Sequence, residues 1–176
     1  MPELIRIRAQ PLSADAFRPF GQVLEPLRPV YPEVDDGSTS VMMLNQKRRS
    51  SQIEMMAFHG SYNQTFIPIR GSMIFVLAPP PPELSVSAEE CGIEYGKVAA
   101  FIVETGQAIF INRGVGHNSI PVGSECLFVS VTKKHGEEID PVVDYVEGRS
   151  GKMENSKAIE YVNFCVRDGK IIELEI

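Results

Sequence analysis

Gly106-Gln107-Ala108-Ile109-Phe110-Ile111-Asn112-Arg113-Gly114-Val115-Gly116-His117 alternates turn, strand and turn, and ends on a histidine. Ala108 to Ile111 is a short apolar run of the kind that forms a buried strand, and Glu104-Thr105-Gly106 is the turn before it. Gly114 and Gly116 let the chain double back tightly. The next strand therefore starts at His117, which can aim its imidazole into a closed sheet.

The same rhythm continues on either side. Short apolar runs lie at Val41 to Leu44, Ile53 to Phe58, Thr65 to Ile69, Ser72 to Ala78, Ala99 to Val103 and Cys126 to Thr132. Pro68 places its run at a rim or an edge, because proline cannot donate to a ladder. Four prolines, Pro79 to Pro82, end the strongest run and form a rigid surface connection. Many short strands divided by Gly and Pro turns indicate an all-β barrel or sandwich.

Before these strands, Ser13 to Phe20 reads as one short helix, capped by Ser13 and stopped by Gly21. Val23-Leu24 begins a strand, and Glu25 to Ser40 is rich enough in Pro, Asp and Gly to be a loop. Lys133 to Lys157 is polar, with helical character around Pro141 to Glu147. Tyr161 to Val166, Asp168-Gly169 and Lys170 to Ile176 read as a β-hairpin, since Asp-Gly suits a tight turn.

The 176 residues suit one domain, with a core over about residues 8–132 and a tail over 133–176. A net charge of −6 argues against a nucleic-acid backbone as partner. No apolar run approaches the roughly 20 residues of a membrane span, so a cytoplasmic location is expected. Cys91, Cys126 and Cys165 are odd in number and widely spaced, which fits free thiols.

A second histidine precedes a strand in His59-Gly60-Ser61-Tyr62-Asn63-Gln64-Thr65-Phe66-Ile67-Pro68-Ile69-Arg70-Gly71. This segment resembles the first motif of the cupin superfamily, His-x-His, then Glu, then Gly. Gln64 takes the Glu position, Gly71 the closing Gly, and Ala57 the place of the first His. Gly106 to His117 resembles the second cupin motif, with Asn112 where that motif has proline. His59, Gln64-Thr65-Phe66-Ile67-Pro68 and Val76-Leu77-Ala78-Pro79-Pro80 further resemble the ureidoglycolate lyase family. So do Pro11-Leu12-Ser13, Phe20-Gly21 and Val23-Leu24-Glu25. Gly60 and Asn118 depart from that family, which has proline and a second His there.

The resemblance implies a cupin-like double-stranded β-helix, or jelly-roll, with a short N-terminal helix and a C-terminal hairpin. It implies release of urea from ureidoglycolate, leaving glyoxylate, and by analogy a homodimer. Another small hydroxy acid or amide, or simple metabolite binding, is the alternative. Within it, His59, His117 and Gln64 are the catalytic candidates. Asn112, Arg113, Lys47 and Arg48 are candidates for binding a small anionic substrate. The residues fix no cofactor; His59, Gln64 and His117 could hold a divalent metal weakly. Met42, Met43, Met55 and Met56 fill a core or a dimer face.

Overall fold

A computed structural model describes residues 1–35, 37–84, 87 and 90–134, and then 161–176. The helix expected near Pro141 to Glu147 and most of the polar tail lie outside the described residues. The strands are β1 (Glu3–Pro11), β2 (Gly21–Val23), β3 (Thr39–Lys47), β4 (Gln52–Ile53), β5 (Met55–Phe58), β6 (Gln64–Arg70) and β7 (Met73–Ala78). They continue as β8 (Ala99–Val103), β9 (Ile109–Ile111), β10 (Gly116–Pro121), β11 (Glu125–Lys133), β12 (Tyr161–Asn163) and β13 (Lys170–Glu175). Among the described residues, two helices, α1 (Ala14–Phe17) and α2 (Phe164–Asp168), and a 3₁₀ turn at Tyr95–Lys97 accompany these strands.

The strands form two sheets, ordered β12-β5-β10-β7-β8-β1-β13-β4 and β2-β9-β6-β11-β3. The sheets share a core: Met73, Phe75, Leu77 and Phe101 come from one, and Leu44, Phe66, Ile109 and Phe128 from the other. Aromatic rings of α1 close its end, with Phe17 and Phe101 centroids 5.4 Å apart. A second core lies on the other face of the larger sheet, where Ile74, Val76 and Ala78 meet Ile53, Val162, Phe164 and Ile172. β7 is thus apolar at every position because both of its faces are covered. The result is an all-β double sheet, as the strand rhythm predicts.

The register of β10 against β7 sets the site. His117 lies opposite Leu77 and Ser119 opposite Phe75, so both point into the core between the sheets. Asn118 and Ile120 lie opposite Val76 and Ile74 and face the second core.

Two expectations need correction, and one strand goes beyond them. The helix is shorter than Ser13 to Phe20, because Ser13 caps Ala14–Phe17, accepting from the Ala16 amide at 3.4 Å. Residues 3–11 form β1, parallel to both β13 and β8; the alternation Ile5-Arg6-Ile7-Arg8-Ala9 is its signature. The C-terminal hairpin does not exist. β12 pairs with β5, while β13 pairs with β1 and β4, and α2 separates them. Gly169 takes φ 65° as the left-handed cap of α2, a conformation that a hairpin turn and a helix end both demand.

Pro68 is reconciled by local geometry. β6 is internal to its sheet, but β9 pairs only with Gln64, Thr65 and Phe66. Pro68 lies beyond that pairing, and the ladder to β11 shifts register between Leu127 and Phe128.

Candidate functional site

His59 follows β5 directly, and His117 is the second residue of β10. β5 and β10 are antiparallel neighbours, with Gly116 opposite Phe58. The two histidines, 58 positions apart in sequence, are therefore adjacent in space. Their ring centroids are 4.9 Å apart and tilted by 61°. The backbone fixes this approach, since the Gly114 amide donates to the His59 carbonyl at 2.8 Å. Gly114 turns there with φ 73°, and a Cβ on it would lie 2.1 Å from the Leu84 side chain. A Cβ on Gly116 would lie 2.3 Å from the Phe58 ring. Glycine at these two positions is what lets the loop pack so closely.

Each imidazole is held through Nδ1. That of His117 is 3.1 Å from the Val115 carbonyl, an acceptor only, so Nδ1 carries the proton and Nε2 keeps its lone pair. That of His59 is 2.8 Å from the Tyr62 hydroxyl, and the two rings stack 4.4 Å apart. Burial, and then the neighbouring His59, hold the His117 pKa down at about 3. It is therefore a neutral imidazole at physiological pH. Phe66 borders it from β6, at 5.9 Å between centroids.

Gln64 begins β6 and lies on the same inward face as Phe66. Its Nε2 donates to the Ser130 hydroxyl at 3.1 Å. Its Oε1 is buried and has no hydrogen-bond partner among the described residues. Gln46 and Ser119 add a second polar pair at the inner surface: the Gln46 amide donates to the Ser119 carbonyl at 2.7 Å, and the Ser119 hydroxyl donates back at 3.1 Å. Tyr62, Ser130, Ser119 and Gln46 are site residues that the sequence analysis does not single out; Tyr62 lies in the loop between β5 and β6, where no periodicity gives a direction. For Ser119 and Ser130 the signal was available, as each keeps two-residue register with an inward residue, His117 and Phe128 respectively.

The four expected anion-binding residues make contacts of their own. Lys47 is exposed at the end of β3, opposite Glu125. The Arg48 guanidinium donates to the Val122 carbonyl. Asn112 is exposed and shapes the turn through its backbone, donating to the Phe20 carbonyl and accepting from the Val115 amide. Arg113 grips both oxygens of Asp35 at 2.9 Å and lies 3.4 Å from Glu33. It thereby straps residues 33–35 onto the His59–Asn63 loop, where Val34 bridges to Tyr62.

His59, Gln64 and His117 are also the residues that would face a metal. They supply two imidazoles and a neutral amide, with Ala57 where a third imidazole would stand. Among the described residues, no group of three or more His, Cys, Asp or Glu is placed to bind an ion. This uncharged donor set does not fit a tightly held divalent cation. Acid–base and hydrogen-bonding chemistry is what these side chains supply.

The chain is similar in sequence to several known proteins. A ureidoglycolate lyase of Pseudomonas aeruginosa is 25% identical over 134 residues, 65% of this chain and 75% of the relative. One from Pseudomonas fluorescens is 25% identical over 131 residues, covering 63% and 74%. A Bacillus subtilis oxalate decarboxylase structure aligns with 71% of this chain at 11% identity and a TM-score of 0.40; the chain spans only 27% of that protein. The family model for ureidoglycolate lyase matches residues 29–147, a span that includes both histidines, Gln64 and Ser130, and the chain belongs to that family.

Proposed function

We propose that the protein is a lyase that releases urea from ureidoglycolate and leaves glyoxylate. The observation that carries this reading is the paired imidazoles of His59 and His117 on the inner face of the double sheet, 4.9 Å apart. The reaction needs a group that takes the proton of the carbinol hydroxyl as the C–N bond breaks. It also needs a group that returns a proton to the departing nitrogen.

His117 suits the first task, because its Val115 contact leaves Nε2 unprotonated. Its low pKa makes it a reluctant base when the site holds no anion. A substrate carboxylate beside the ring favours the charged imidazole and offsets that reluctance. As the hydroxyl proton moves to Nε2, the carbinol oxygen becomes the aldehyde oxygen of glyoxylate. The C–N electron pair goes to nitrogen. The imidazolium so formed is a strong acid, destabilised by burial and by His59, and readily gives its proton to the urea nitrogen. His59, held by Tyr62 through Nδ1, lies beside His117 with ring centroids 4.9 Å apart and supports the same proton transfers.

The test is glyoxylate release by purified protein. Turnover above the spontaneous rate, lost in His117→Asn, supports the reading. No release above that rate, with or without added divalent metal, removes it.

A further inference from the structure

Gln64 Oε1 is a fully buried acceptor without a partner among the described residues. Buried polar atoms are nearly always paired, and each exception calls for a physical reason. The other end of the same amide is occupied, since Nε2 donates to Ser130. Ser130 is itself buried, 1% exposed, on the inward face of β11. It lies opposite Phe66 in the ladder between β6 and β11. Ser130 anchors one end of the amide, with a hydroxyl that can meet either Nε2 or Oε1, so the orientation is set by what the other end leaves unpaired. The reverse orientation would bury an unpaired NH₂ with two donors, which costs more than one unpaired carbonyl oxygen. Gln64 thus turns an acceptor, rather than a donor, toward the inner face it shares with Phe66, whose ring borders His117.

We infer that Gln64 Oε1, set by Ser130, is the specificity element of the site and accepts a hydrogen bond from a ligand N–H. This deepens the proposed function and rests on it for the identity of the substrate. The ligand class it selects is one with an unsubstituted amide or ureido N–H, which pairs with the buried oxygen. An ester or alkyl group of the same size leaves the oxygen unpaired and is rejected on that ground. Ser130 is a positioning residue, since it acts only through Gln64.

Two measurements test this. In the first, ureidoglycolate kinetics are compared for the wild type, Ser130→Ala and Ser130→Thr. With its anchor lost, the amide can turn, and KM should rise roughly tenfold in Ser130→Ala, the worth of about one hydrogen bond. The change in kcat should be smaller, and Ser130→Thr, which restores a hydroxyl, should recover most of KM. An unchanged KM in Ser130→Ala, or a Thr variant no better than the Ala one, overturns the inference. The second measurement needs no turnover and no variant. Urea and acetone, equal in shape but differing in N–H groups, are titrated into the wild type while the His117 imidazole resonances are followed. Urea should shift them at concentrations where acetone does not, and equal responses overturn the inference. A wild type that releases no glyoxylate yet discriminates urea from acetone would remove the proposed reaction and leave this element standing.

Discussion

Two polar clusters sit on opposite sides of the larger sheet, and one is closed where the other is open. Beside the second core, Arg167 donates through Nε and Nη2 to the two oxygens of Asp168 at 2.7 Å. The Tyr95 hydroxyl donates to the same carboxylate at 2.5 Å, and Arg167 also reaches the Cys91 carbonyl. That cluster joins α2 to the loop before β8, with charge answered by charge. On the inner face, Gln64 Oε1 has no hydrogen-bond partner among the described residues, and burial keeps His117 uncharged. A closed network holds elements together, whereas an open one is arranged for something that arrives. The contrast predicts that changes inside will alter turnover more than stability, and that changes in the other cluster will do the reverse.

The largest effect expected is on turnover in His117→Asn. Asparagine keeps an N–H near the place of Nδ1 and can still serve the Val115 carbonyl, but it has no Nε2. Glyoxylate release should fall about 10²- to 10⁴-fold, the usual contribution of a positioned acid–base group. A loss below fivefold would break the contrast at its centre.

The same residue predicts a pH effect on folding. Its pKa is lowered from an ordinary 6.5 to about 3 in the folded protein. Between those values the unfolded chain binds the extra proton, so stability rises with pH and is lost as pH falls below 6.5. The slope is about 1.4 kcal/mol per pH unit for one group. Denaturant unfolding between pH 5 and 6.5, above most carboxylate titrations, should show this slope in the wild type and a flatter one in His117→Asn. Equal slopes would mean that His117 is not held neutral by burial.

Asp168→Asn addresses the closed cluster. Hydrogen bonds from Arg167 are the main cause holding the Asp168 carboxyl below the ordinary carboxylate range. Its stabilising contribution is therefore present at neutral pH and lost as pH falls through that depressed value. Replacing the carboxylate should cost about 1–3 kcal/mol and lower Tm by roughly 3–8 °C. Turnover at 25 °C should stay within about twofold, as for a change that removes no acid–base group. A variant that keeps its Tm but loses turnover would reverse the roles assigned to the two clusters.

Much of this arrangement could be read from the chain. The Gly-x-Gly-His turn, and the motif resemblance over His59 to Gly71, single out the two imidazoles that the fold brings to 4.9 Å between ring centroids. The C-terminal segment was misread because Gly169 satisfies a requirement common to two structures. What tips the choice is the helical run from Phe164 capped by Asn163, whose side chain accepts from the Val166 amide at 3.0 Å. β1 was missed because Leu4 and Pro11 blur its alternation, and because its partner β13 is over 160 residues away. Arg113 drew attention by its nearness to His117 in sequence. Only the fold shows that Asp35, from a distant loop, already occupies it.

The smallest effect concerns the basic run at Lys47. Composition and position make Lys47 a reasonable carriage for a substrate carboxylate, but the fold puts it at an exposed strand end across from Glu125. Exposed pairs of this kind contribute at most about 1 kcal/mol. Lys47→Ala should change stability by no more than about 0.5 kcal/mol and leave KM for ureidoglycolate within experimental error. Should KM instead rise tenfold, the substrate carboxylate reaches β3, and the open cluster extends from His117 past the Gln46–Ser119 pair to the end of that strand.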